Sequence, residues 1–184
     1  MSGKNVAVFG IYSTRTAVET ATDSLVSSGF PTSDISVLLP ESLGGPKDMG
    51  TEKATKAPEG ATAGVTTGGV IGGTLGVLAG IGLLAIPGLG PFIAAGPIMA
   101  GLAGLGVGGA VGGFTGALIG MGIPEFEAKR YEGRLQKGGI LLSVHCDASE
   151  EIKRAKEVLK RTGAEDVSST GEASVDSKAA RANQ

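Results

Sequence analysis

The chain has no tryptophan, a single cysteine and a single histidine, and only 4% of it is aromatic. One thiol, Cys146, excludes an intramolecular disulfide and any multi-cysteine metal site. Charge is also scarce: 18% of residues are Asp, Glu, Lys or Arg, against a usual share of about 25%. The formal net charge of -2 gives no polyelectrolyte drive toward nucleic acid. The first residues, Met1 to Asn5, do not open a long apolar run, so no signal peptide is expected. The mean hydropathy is nevertheless +0.21, which argues against a polar disordered chain.

What is abundant is glycine, 33 of 184 residues, about twice the ordinary share. The glycines do not recur every third residue, so a collagen-like chain is excluded. Most lie in one place. From Ala61 to Ile123 there is no Asp, Glu, Lys, Arg or His, and this segment holds 21 of the 33 glycines. All 34 charged residues lie outside it.

The polar flanks read as two similar halves. Val6 to Phe9 is a short apolar run bounded by Gly10, which suits a buried strand. Thr14 to Ser28 has helical spacing at Ala17, Val18, Ala21, Leu25 and Val26, with Thr16 and Glu19 as a capping box and Gly29 as the stop. Ile35 to Leu39 is a second strand, ended by Pro40. Near the other end, Ile140 to Val144 is a strand. Asp147 and Glu150 fit a cap, and Ile152, Ala155, Val158 and Leu159 line a helix that stops at Gly163. A short strand at Asp166 to Ser168 follows. Two such halves predict an α+β, ferredoxin-like (split βαβ) sheet domain, with the apolar centre in place of the connection between its second and third strands.

Inside the centre the glycines are periodic. Gly64, Gly68, Gly72, Gly76 and Gly80 recur every four residues, as do Gly104, Gly108, Gly112, Gly116 and Gly120. Such rows fall nearly on one stripe of a helix. A helical glycine costs about 1 kcal/mol relative to alanine, so ten imply a penalty near that of a domain's whole stability. Close backbone approach, with Cα–H···O contacts along a groove free of side chains, is the available offset. Pro87, Gly88, Leu89, Gly90 and Pro91 form a turn between the rows. The reading is an antiparallel glycine-zipper hairpin, with helices over Ala63 to Ile86 and Phe92 to Ile123. Each is longer than the roughly 20 residues that span a bilayer core. A hairpin keeps both flanks on one side, and Lys53, Lys56, Lys129, Arg130 and Arg134 place that side in the cytoplasm. The alternative is a soluble, cytoplasmic oligomer whose hairpins form a buried apolar core.

Signals for chemistry are weak. Gly104, Gly106 and Gly109 match a dinucleotide fingerprint, but no strand is evident before them and the four-residue repeat forces the match. No Walker A sequence is present. His145, Cys146 and Asp147 are consecutive, yet one Cys and one His cannot build an ordinary zinc site. On a strand, His145 and Asp147 share a face and Cys146 takes the other. Pro124 to Leu135 is a charged amphipathic helix, with Pro124 in the first turn and Glu125 and Glu127 at its positive end. Its Phe126, Arg130 and Tyr131 suit either a lipid headgroup boundary or packing on the sheet.

Several of these stretches resemble a bacterial family of general stress proteins, the general stress protein 17M-like or heat-induced stress proteins. The shared elements are Val6 to Phe9, the helix ending at Gly29 and Phe30, Ile35 to Leu38, the turn from Ile86 to Pro97, and Gly122-Ile123-Pro124-Glu125 with Tyr131-Glu132 and Lys137 to Leu141. The resemblance covers about residues 5 to 168. It implies a stress-linked protein with a glycine-zipper hairpin between two α/β halves and without an established enzymatic activity, and it supplies no catalytic residues.

The expectations are therefore these. Residues 1–41 are the first half of the α/β domain, 42–60 a linker, 61–123 the hairpin, 124–138 a connecting helix, 139–169 the second half and 170–184 a disordered tail. The protein is a non-enzymatic stress-response protein without catalytic, metal or cofactor residues. Its partners are a second copy of itself and a lipid bilayer, with no nucleic acid and no small-molecule substrate. The ten repeat glycines are the helix-packing positions, and Pro87, Gly88, Gly90 and Pro91 make the turn.

Overall fold

The computed structural model describes residues 6–44, 82–104 and 113–171. In chain order these form β1 (Val6–Tyr12), α1 (Arg15–Ser27), β2 (Ile35–Pro40), α2 (Glu41–Gly44), β3 (Gly82–Ile86), β4 (Gly90–Ala95), α3 (Pro97–Gly104), α4 (Gly113–Gly120), α5 (Glu125–Gln136), β5 (Ile140–Cys146), α6 (Ser149–Arg161) and β6 (Glu165–Gly171). The fold is mixed α/β, built on one six-stranded sheet with the order β3-β4-β2-β5-β1-β6. Every neighbouring pair is antiparallel. β5 lies between β1 and β2, and β1 lies between β5 and β6. Each strand–helix–strand unit therefore straddles one inserted strand, and β1 runs parallel to β2 without pairing with it.

Both faces of the sheet are covered. Alternate side chains of the central strands point to opposite faces. Val8 and Tyr12 of β1, Val37 and Leu39 of β2, and Leu142 and Val144 of β5 meet Val18, Ala21 and Leu25 of α1 and Ala155, Val158 and Leu159 of α6. On the other face Phe9, Ile11, Leu38 and Leu141 meet Ile98, Met99 and Leu102 of α3, Phe114, Ala117 and Leu118 of α4, and Ala128, Tyr131 and Leu135 of α5. The core is thus two apolar layers, one on each side of the sheet.

Local chemistry sets the helix ends. The Thr14 hydroxyl accepts from the Ala17 amide at 3.3 Å and caps α1. Thr16 lies two residues inside the helix, too late for that role, and Glu19 pairs with Arg15 at 2.9 Å instead. Glu151, not Glu150, reaches back at the start of α6, accepting from the amides of Asp147 and Ala148 at 2.9 and 3.1 Å. Gly29 and Gly163 end α1 and α6 in the left-handed region, with φ of 93° and 91°.

The structure departs from the expected helical hairpin on both sides of the turn. Residues 82–86 and 90–95 are strands, where the end of the first expected helix and the start of the second fall; residues 97–104 and 113–120 are helical, and 105–112 lie outside the described residues. The reason is the sheet. Beside β2, the run Phe92 to Ala95 finds ladder partners from Val37 to Pro40 and is buried on both faces. A helix would forgo that pairing. The rest of the expected first helix lies outside the described residues. The expected linker overlaps α2 at its start, and β6 runs two residues into the expected tail; the remainder of both also lies outside the described residues.

Candidate functional site

The turn positions sit at a β-hairpin. The Leu89 amide donates to the Ile86 carbonyl at 3.0 Å, closing a four-residue turn with Pro87 second and Gly88 third. Gly88 has φ 81°, which a type II turn requires at its third position. Pro87 presets the position before it. Gly90, at φ 98°, starts β4, and Pro91 stands opposite Ala85. The residues read as a helix-to-helix turn therefore join two strands.

The repeat glycines are divided. Gly64, Gly68, Gly72, Gly76, Gly80, Gly108 and Gly112 lie outside the described residues. Gly104 is the last residue of α3, and Gly116 and Gly120 lie in α4. These two helices lay Ile98, Met99, Leu102, Phe114, Ala117 and Leu118 on the sheet. Much of the uncharged centre is therefore domain core. Among the described residues, no helix is long and apolar enough to cross a membrane.

The two sheet edges differ in chemistry. β3 is Gly-Leu-Leu-Ala-Ile, without charge. Leu84 and Ile86 turn toward the α3/α4 side. Leu83 stands opposite Ile93 on the other side and is 58% exposed. β6 carries Glu165 and Asp166 and is clamped by α5. Arg130 Nη1 lies 2.7 Å from Asp166 Oδ1, Arg134 Nη1 lies 2.8 Å from Glu165 Oε2, and Arg134 Nε lies 3.3 Å from Asp166 Oδ2. The Tyr131 hydroxyl donates to the Asp166 carbonyl at 2.9 Å and also meets the Ser168 hydroxyl. Asp166 has φ 52°, and the β1–β6 register shifts between Phe9 and Ile11. Gly10 sits at that shift because Ala164 Cβ would lie 2.9 Å from an added Cβ.

This clamp was not legible in the sequence. Arg130 and Arg134 are each more than thirty residues from Asp166, and only the return of β6 beside β1 brings them together. Burial pushes the Tyr131 phenol up to about 12, and it does the same to Tyr12 on the opposite face. Phe126 stays outside, 70% exposed, with the Arg130 guanidinium 4.5 Å from its ring centroid. Of the three residues weighed for the headgroup boundary, Tyr131 packs on the sheet against Phe9 while Phe126 and Arg130 face outward.

His145 Nε2 lies 3.3 Å from Asp147 Oδ1, and Cys146 is buried in the α1/α6-side core. Among the described residues, no group of three His, Cys, Asp or Glu side chains could hold a metal ion. Two shallow hollows flank α5. One of about 80 Å³ is lined by Ile11, Ser13, Arg134 and Lys137 to Gly139. The other, of about 70 Å³, lies between Tyr131 and the clamp residues. Both are well below the roughly 300 Å³ at which pockets for small organic ligands begin.

No family model, no curated protein and no solved structure matches the chain.

Proposed function

We propose that this is a non-enzymatic bacterial stress-response protein that works by self-association. In this reading, the four strands β2-β5-β1-β6 with α1 and α6 form a ferredoxin-like domain, supported by the two straddled strand–helix–strand units. The domain carries the glycine repeat from Gly64 to Gly80 as its packing element. The observation that carries the reading is the fate of the uncharged centre: β3, β4, α3 and α4 belong to the domain core, so the repeat runs directly into an edge strand of the folded sheet. The assembly is then a soluble scaffold in which the repeat of one copy packs against that of another. The stress link rests on the resemblance of the sequence elements.

A membrane-associated form is the second reading, favoured by Phe126 and Arg130, an exposed aromatic and a cation side by side on α5. Interfacial anchors have this chemistry.

Sedimentation of the purified full chain tests the first reading. Concentration-dependent oligomers that are lost in Gly72→Leu, with an unchanged circular dichroism spectrum, are expected. A monomer at every concentration overturns self-association. Carbonate extraction of fractionated cells separates the two readings: release as a large soluble particle supports the scaffold, and retention in the pellet supports the membrane form.

A further inference from the structure

The two ends of the sheet are not equivalent, and the difference assigns the partner of one of them. Open edge strands attract other strands, and proteins guard against this with charge, bulges and inward-pointing ionised groups. β6 has all of these: Glu165 and Asp166, the register shift at Gly10 and two arginine clamps from α5. β3 has none. It is five residues long, has no proline or charge within it, and presents the exposed side chains of Leu83 and Ala85 on one side of the sheet. Among the described residues, β4 is its one strand neighbour.

We propose that β3 pairs antiparallel with β3 of a second copy of this chain, joining two six-stranded sheets into one across a two-fold axis. The proposal rests on the self-association reading and adds a second contact surface to it, beside the glycine repeat. A second copy fits for three reasons. The first is charge: no ionised side chain occurs in β3 or β4, so the strands at the joint bring no like charges opposite each other. The second is shape. Pairing centred on Leu84 sets Leu83 against Ala85 of the partner subunit, a large side chain against a small one. Leu84 then meets Leu84 of the partner subunit on the α3/α4 side. The third is closure. Among the described residues β3 is open on one side, and β3 on β3 consumes both such edges while the guarded β6 edges cannot extend the sheet, so this joint by itself makes a closed pair and not a fibre. Main-chain hydrogen bonds supply the pairing, and the apolar side chains fix its register.

Hydrogen exchange of the full chain over a hundredfold range of concentration tests this. The β3 amides are expected to become protected as concentration rises, in step with dimer formation by sedimentation. Leu83→Lys places charge in the joint and is expected to weaken dimerisation at least about tenfold, with β1 and β5 amides as protected as before. Three results overturn the proposal. One is protection of β3 that does not change with concentration, which would mean the chain's own residues cover the edge. Another is exchange of β3 as fast as free peptide in the dimer. The third is an unchanged dimer in Leu83→Lys with Gly72→Leu still dissociating it, which leaves self-association standing without β3. A wild-type monomer throughout removes both ideas together.

Discussion

The Tyr131 hydroxyl on α5 donates to the main-chain carbonyl of Asp166 on β6, at 2.9 Å. The bond ties the second helical layer to an edge strand in which no residue is fully buried. Tyr131→Phe keeps the ring in its packing against Phe9 and removes only the hydroxyl. The expected cost is about 1 kcal/mol in chemical denaturation. Faster hydrogen exchange is expected in β6 than in β5.

The same tyrosine gives a pH dependence, shared with Tyr12. Burial raises both phenols to about 12, above their ordinary value of 10.0. The folded state thus holds these protons more tightly than the unfolded state. Their contribution to stability is whole below pH 10 and is lost as pH rises from 10 toward 12. Denaturation midpoints should fall through that window, less steeply in Tyr131→Phe. An equal slope in the variant would assign the alkaline transition elsewhere.

Two buried serines stand opposite each other and should behave oppositely. The Ser36 hydroxyl accepts from the Ile98 amide at 3.0 Å, at the start of α3. Its register partner Ser143 is also fully buried, and its hydroxyl has no hydrogen-bond partner among the described residues. Ser36→Ala should destabilise by about 1–2 kcal/mol. Ser143→Ala should be neutral or slightly stabilising, because no bond is broken and a desolvated hydroxyl is removed. Thermal melts of the two single variants check the sign.

Gly96 and Gly88 separate two reasons for a glycine. Both have positive φ, 94° and 81°. A Cβ at Gly96 would lie 2.4 Å from the Ile35 carbonyl oxygen and 2.6 Å from Ser36 Cα, whereas at Gly88 nothing lies within 4 Å. Gly88→Ala should cost about 1–2 kcal/mol, the left-handed backbone alone. Gly96→Ala should cost more than about 4 kcal/mol, because backbone atoms cannot yield as a side-chain tip can. Comparable losses in the two would mean that Gly96 is not so closely packed.

The arginine clamp should respond to salt. Arg130→Gln and Arg134→Gln each remove partly exposed ion pairs, worth about 0–1 kcal/mol. Raising ionic strength should narrow the gap between wild type and variant, measured by urea denaturation. A gap that salt leaves unchanged would point to packing of the arginine stems instead.

Much of the flanks could be read from residue order alone. Strand cores at Val6 to Phe9, Ile35 to Leu39 and Ile140 to Val144, the helix stops at Gly29 and Gly163, and the charged helix after Pro124 follow from local signals that act over a few residues. The centre misled for a physical reason. Phe92 to Ala95 is buried on both faces, so it lacks the alternation that marks a half-buried strand. A continuous apolar run beside a four-residue glycine repeat reads equally well as helix. The flanking Pro-Gly turn fits a hairpin of either kind.

What the sequence determined was the division of the chain: an uncharged, glycine-dense centre set between two strand–helix units, with its turn at Pro87 to Pro91. Tertiary structure decided where the later part of that centre goes. Apolar residues gain most where they meet a ladder partner or a covering layer; β2 offers the first to β4, and the sheet face that α3 and α4 cover offers the second to residues 97–104 and 113–120. The same return of the chain aligned Tyr131, Arg130 and Arg134 with Asp166 and left β3 and β6 as unlike edges. No local pattern encodes an edge, because it is defined by which strand lies beside it.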